Sequence, residues 1–213
     1  MAKFSGLEDA SMIQLEAEYT FYRPSRTVMQ QLKVGNLVKL IFNLKPETAE
    51  LGQGRLPSAE RMWVIITERR RDNFKGTLDN NPHFIKDLKY KDVIEFETKH
   101  IIQTDIEETN SDIVEKYARF CIVSNKILRE RKPIGLFYRD EEEHTMENGR
   151  KDSGWVFMSG EESDEYANNP DNLTFKTLGI VLNINDSFID LLDEPVGSEF
   201  IWDEILKKYV KTE

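Results

Sequence analysis

The densest chemistry in the sequence is the run Ser159-Gly160-Glu161-Glu162-Ser163-Asp164-Glu165-Tyr166. Carboxylates this close can hold a hard cation such as Ca²⁺ or Mg²⁺. They can serve as a general acid and base. They can also dock a basic partner, because rows of acid steer encounter and fix register. The plainest alternative is a solvated loop. An EF-hand starting at Asp164 is excluded, since no glycine stands at its sixth position.

Other catalytic vocabulary is sparse. His83, His100 and His144 include no pair at the i, i+4 spacing of a helical zinc site. Cys121 is the single cysteine, so neither a disulfide nor a cysteine zinc cluster is expected. It sits in an apolar run and reads as inert core. Gly52-Gln53-Gly54 is not followed by a helical pattern, and no G-x-S-x-G motif occurs. Outside the acidic run the residues therefore predict no catalytic constellation, no metal and no cofactor.

Among the aromatics, Trp63 and Trp155 lie in apolar runs and read as core. Tyr166 follows the acids in a turn-rich stretch and is expected to face solvent, where tyrosine anchors interfaces. A small-molecule pocket near Trp63, Gly76, Asn80, Asn81 and Pro82 is a further expectation. Arg69-Arg70-Arg71 has no interleaved aromatics and reads as a solubilising hairpin tip.

The 213 residues carry 29 basic and 39 acidic side chains, a net charge of −10. Residues 1–112 contribute −2 and residues 113–213 contribute −8. Within 140–171 there are 11 acids against Arg150 and Lys151. Such a surface repels nucleic acid and anionic lipid and favours basic proteins or cations. The longest apolar run, Met62 to Ile66, is far below the ~18 residues of a spanning helix. The first residues lack an apolar core of signal-peptide length, so a cytoplasmic location is expected.

The elements that position these residues follow from periodicity. Residues 7–22 read as helical and end at Pro24. Ser25 to Leu32 reads as a short helix. Strands are expected after Gly35-Asn36, over Met62 to Thr67, and over Phe74 to Leu78, the last two as a hairpin. Leu88 to Lys99 reads as a turn and then a strand. Leu32-Lys33-Val34-Gly35-Asn36 is echoed by Leu88-Lys89-Tyr90-Lys91-Asp92, each a tight turn leading into an amphipathic strand. Thr104 to Asp112 is polar and reads as a linker, with a short helix over 113–119. Beyond it, Phe120 to Val123, Ile134 to Tyr138, Trp155 to Met158 and Leu178 to Ile184 read as strands. Ser187 to Leu192 reads as one helical turn, and Ile201 to Val210 as an amphipathic terminal helix packed by Trp202. No βαβ rhythm appears. The expected class is α+β, with two small domains (1–110, barrel-like, and 111–213), each a mostly antiparallel, strongly twisted sheet with short helices.

Two stretches carry a resemblance. Ser153-Gly154-Trp155-Val156-Phe157-Met158-Ser159-Gly160-Glu161-Glu162-Ser163-Asp164-Glu165-Tyr166, then Asn169-Pro170-Asp171-Asn172, then Leu191-Leu192-Asp193 and Pro195-Val196-Gly197-Ser198-Glu199-Phe200, resemble the bacterial immunity protein 33 domain over roughly 120–203. Residues 55–102 more loosely resemble a second uncharacterised bacterial family, through Glu60 to Val64, Phe74 to Leu78, Asn80-Asn81-Pro82 and Lys91 to Phe96. That pattern more often reads Gly-Asp at Lys91-Asp92. The resemblance implies a non-enzymatic cytoplasmic protein that binds and neutralises a cognate toxin or other basic protein. The expected contact set is Trp155, Ser159, Gly160, Glu161, Glu162, Asp164, Glu165, Tyr166, Asp171 and Asn172. The alternative is a stand-alone ligand- or metal-binding protein, or a metal-dependent hydrolase, using the Glu161 to Glu165 carboxylates.

Overall fold

The repeated turn seen in the sequence recurs in three dimensions. In the computed structural model, which describes residues 2–45, 57–108, 112–140 and 152–212, Gly35 and Lys91 both have positive φ, at 97° and 70°. Asn36 Oδ1 accepts the Lys33 N–H at 3.0 Å, and Asp92 Oδ2 accepts the Lys89 N–H at 2.9 Å. The Gly35 N–H donates to Ile66 and the Lys91 N–H to Leu78. Short Asn and Asp side chains close such turns because they accept locally from the backbone. Each turn then launches a strand.

Those strands are β2 (Leu37–Lys45) and β5 (Val93–Glu97). They join β1 (Lys3–Leu7), β3 (Ala59–Arg70), β4 (Asn73–Leu78) and β6 (Ile101–Thr104) in one six-stranded sheet. The order is β1-β2-β3-β4-β5. Strand β6 lies beside β1 on the same edge of β2, pairing with Val38 to Leu40 while β1 pairs with Phe42 to Lys45. Alternation puts Met62, Val64 and Ile66 of β3 on the core face with Val38, Leu40, Phe42, Ile94 and Phe96. Fully burying one such side chain is worth about 1.5–3 kcal/mol. The helix expected over 7–22 is shorter. Only Leu7 of that stretch belongs to β1, α1 spans Ala10–Glu16, and residues 17–20 leave the helix in a turn closed by the Thr20 N–H on the Ala17 carbonyl at 3.0 Å. Helix α2 (Arg26–Gln31) is capped by Ser25, whose Oγ accepts the Val28 N–H at 3.3 Å.

The second half contributes α3 (Ile113–Lys116), β7 (Phe120–Ser124), α4 (Asn125–Leu128), β8 (Leu136–Arg139), β9 (Trp155–Met158) and α5 (Asp164–Ala167). Strand β10 (Leu173–Thr177), α6 (Leu178–Ile184), β11 (Glu199–Asp203) and β12 (Lys208–Lys211) follow. The sheet order is β10-β7-β9-β8-β11-β12, antiparallel except for the β7–β9 pair. The core centres on Phe137, whose ring lies 5.5 Å from Trp155, 5.5 Å from Phe157, 4.9 Å from Phe188, 5.1 Å from Phe200 and 5.0 Å from Tyr209. Offset and edge-on aromatic pairs of this kind add about 0.5–1.5 kcal/mol each beyond area burial.

Two expected elements change type. Residues 178–184 form α6 and not a strand, because Leu178, Val181 and Leu182 reach the core at helical spacing. Residues 201–210 form the β11–β12 hairpin and not a helix, with Trp202 paired to Tyr209 in register and ring to ring at 5.1 Å. Both are sheet-rich α+β units, as the sequence predicts. By contacts, one compact unit comprises Met1–Glu16 and Phe21–Asp112, and the other Ala17–Thr20 and Ile113–Glu213.

Candidate partner-binding surface

Strand β9 is wholly apolar and ends at Met158, after which Ser159 leads into Gly160, whose φ of +83° turns the chain. The acids that follow do different jobs. Glu162 folds back onto the end of the sheet and accepts four hydrogen bonds. They come from Ser124 Oγ at 2.6 Å, the Ser159 N–H at 3.0 Å, Ser159 Oγ at 2.9 Å and the Gly160 N–H at 2.9 Å. Burial is the largest single influence on Glu162 and pulls its pKa up. The donors from Ser124 and Ser159 together outweigh it and hold the carboxyl below the ordinary glutamate value.

Glu161 forms an ion pair with Lys132 at 2.8 Å, and its backbone carbonyl accepts from the Lys126 ammonium. Ser163 then caps α5, its Oγ accepting the Tyr166 N–H at 3.2 Å. Asp164 and Glu165 stand exposed on the first turn of α5. Tyr166, expected to face solvent, is half-buried, with the Lys126 ammonium 5.2 Å from its ring centroid. Asn169 caps the turn Pro170–Asn172, the Asn172 side chain donates to the Tyr166 carbonyl at 3.1 Å, and Asn125 donates to the Asp171 carbonyl at 3.0 Å. The Asp171 side chain is exposed.

The ten residues named from the sequence thus sort by what they touch. Trp155 is 1% exposed, donates from Nε1 to the Leu192 carbonyl at 3.2 Å, and braces β9 from the core side. Ser159, Gly160, Glu162 and Asn172 shape the loop. Glu161, Asp164, Glu165 and Asp171, with part of Tyr166, reach solvent. The sequence reading missed Ser124, Lys126, Lys132 and Gly135, all brought to the loop by β7, α4 and the approach to β8. A Cβ on Gly135 would lie 2.2 Å from the Ser159 carbonyl oxygen, so the loop base needs glycine there. The only sequence signals were a serine closing an apolar strand and a glycine opening another. Of the acidic stretch 140–171, residues 141–151 lie outside the described residues.

In the first unit, Asn80 Oδ1 accepts the Trp63 N–H, the Lys39 ammonium lies 4.5 Å from the Trp63 ring centroid, and Gly76 is buried. A Cβ on Gly76 would fall 2.4 Å from a Val64 methyl and 2.5 Å from the Ile65 carbonyl oxygen. Asn80 is half-buried, Asn81 is exposed, and Pro82 is half-buried. A groove of about 400 Å³ lies elsewhere on these strands, lined by charged side chains of Arg70, Lys75 and Glu95 and by His100. Burial and the Lys99 charge lower the His100 pKa, and Nδ1 accepts the Glu97 N–H at 2.9 Å, so the neutral ring carries its proton on Nε2. Lys75 and Glu95 pair at 2.7 Å, which leaves neither as a free charge in the groove.

Among the described residues no group of three His, Cys, Asp or Glu side chains converges as a metal site. Cys121 is buried, and desolvation pushes its thiol well above the usual range. No helix of the described residues is long and apolar enough to cross a membrane.

Comparison with known families finds one match in each half of the chain. Residues 121–212 match the Immunity protein Imm33 domain. Residues 16–115 match the family described as an uncharacterized protein conserved in bacteria (DUF2314). The second half of the chain is thus similar to an immunity-protein domain family. No curated protein and no solved structure matches the chain.

Proposed function

We propose that the chain is a non-enzymatic cytoplasmic binding protein whose second half neutralises a cognate toxin, or another basic protein, through Glu161, Asp164, Glu165, Asp171 and Tyr166. The observation that carries this reading is the division of labour among the acids. Glu162 is spent on four internal hydrogen bonds, which fixes the loop, while Asp164, Glu165 and Asp171 point into solvent. A loop held rigid before contact loses less entropy on binding. Exposed acids at its rim raise the encounter rate of a basic partner. A family match to an immunity domain supports the same class of partner.

The test is reversal of Asp164 and Glu165 to lysine in the full chain. Neither group holds the loop through its side chain, so the fold is retained. Association with the captured partner slows at least tenfold, and its salt dependence flattens. An unchanged association rate removes the loop from the interface.

A further inference from the structure

A sheet wetted on one face alternates apolar with polar residues, whereas strands covered on both faces read as unbroken apolar runs. The central strands of the second unit do not alternate. Their inward residues pack around Phe137, α6 and Phe188. Their outward residues are apolar as well. Register sets Phe175, Ile122, Val156 and Tyr138 side by side across β10, β7, β9 and β8. Met158, Leu136, Ile201 and Val210 form the next row, across β9, β8, β11 and β12. Val156 and Met158 are buried, Ile122, Leu136, Tyr138 and Val210 are half-buried, and Phe175 and Ile201 are 43% and 41% exposed.

This face runs directly into the acidic loop. Met158 is the last residue of β9 before Ser159, and Ser124, which donates to Glu162 at 2.6 Å, ends the neighbouring β7 opposite Leu173. Glu199, paired with Tyr138, adds an exposed acid at the other end. Residues 113–213 carry a net charge of −8, so a second copy would bring acid against acid, and a basic partner is favoured.

We propose that this outer face is the apolar centre of the partner-binding surface. It takes the apolar side of a basic amphipathic helix of the partner, whose lysines or arginines reach Asp164, Glu165 and Asp171. The inference rests on the reading of the acidic loop as a partner surface and adds the source of its affinity. Exposed acids govern encounter and orientation, while apolar anchors at the centre of an interface govern how long the partner stays. From Phe175 on β10 to Ile201 on β11 is four strand spacings, about 19 Å. A helix of about 13 residues covers that distance.

The probe is a fluorescein-labelled leucine–lysine helix of about that length, with its leucines along one side, titrated by anisotropy into the full-length protein. A peptide of the same composition with the leucines spread around the helix controls for charge alone. The patterned peptide is expected to bind at least tenfold more tightly than the control. Phe175→Ser with Ile201→Ser changes no charge at two exposed positions, and is expected to erase that difference while leaving binding of the control peptide unchanged. Equal affinity for the two peptides, absence of binding included, overturns the proposal, as does a preference that survives the double serine variant. Asp164→Lys with Glu165→Lys tests the loop separately. Loss of binding in that variant but not in the serine variant rejects the apolar face and keeps the loop, and the reverse pattern rejects the loop and keeps the face. A dimer in sedimentation velocity that the serine variant dissociates assigns the face to a second copy and overturns the proposal equally.

Discussion

Replacing Glu162 with alanine tests whether one carboxylate organises the acidic loop. It removes the acceptor for Ser124 Oγ, Ser159 Oγ and the N–H groups of Ser159 and Gly160. Hydrogen bonds to a charged group contribute about 1.5–3 kcal/mol each. They are not additive here, because the side chain is partly exposed and water replaces part of what is lost. A net cost of about 2–3 kcal/mol follows, which for a unit of this size lowers its melting temperature by about 10–15 °C. The pH dependence has a definite sign. The folded pKa lies below the unfolded one, so the stabilisation is fully present above the ordinary glutamate pKa of 4.5 and fades as pH falls through the depressed folded value. Urea unfolding followed by tryptophan fluorescence, at pH 7 and at steps down to pH 3, measures both effects. Glu162→Gln should flatten the acid limb of the curve. A loss under about 0.5 kcal/mol for Glu162→Ala, or parallel acid limbs for Glu162→Gln and the unaltered chain, refutes the reasoning.

Four further outcomes follow from the geometry. Lys91→Gly should stabilise the first unit by about 0.5–1 kcal/mol in urea unfolding, because Lys91 stands at φ 70° where a side chain is strained. Gly76→Ala should cost more than about 2 kcal/mol, since the new methyl meets Val64 and the Ile65 carbonyl inside ordinary contact. Tyr209→Phe should cost about 1–2 kcal/mol by calorimetry, because the buried Ile134 carbonyl loses its 2.8 Å donor. Asp164→Lys with Glu165→Lys should leave thermal unfolding within about 0.5 kcal/mol of the unaltered chain, which separates their role from that of Glu162.

Much of the sheet architecture is written locally. Met62, Val64 and Ile66 alternate with less buried neighbours, and the turn before β2 is legible again before β5. At Lys91 the backbone takes the positive φ that glycine would relax. The misreadings have a common cause. Ile201, Trp202, Ile205, Leu206, Tyr209 and Val210 imitate helical spacing, but Ile205 and Leu206 are 92% and 57% exposed at the hairpin tip. Short apolar runs such as Leu178 to Ile184 fit strand or helix equally until the core is known. The acidic loop was visible as composition. Which acid faces inward was not, because that depends on Ser124, far away in sequence and adjacent only through the β7–β9 pairing. The seating of Tyr19 against Asn183 is hidden in the same way.

The most direct test of the binding account is a paired capture from the bacterium that encodes the protein. The tagged full chain and its Asp164→Lys, Glu165→Lys variant are used side by side at moderate salt, with mass spectrometry of what is retained. The account predicts a stoichiometric basic protein carrying a toxin domain on the unaltered chain and its loss from the variant. The same partner retained equally by both chains, or none retained by either, contradicts it.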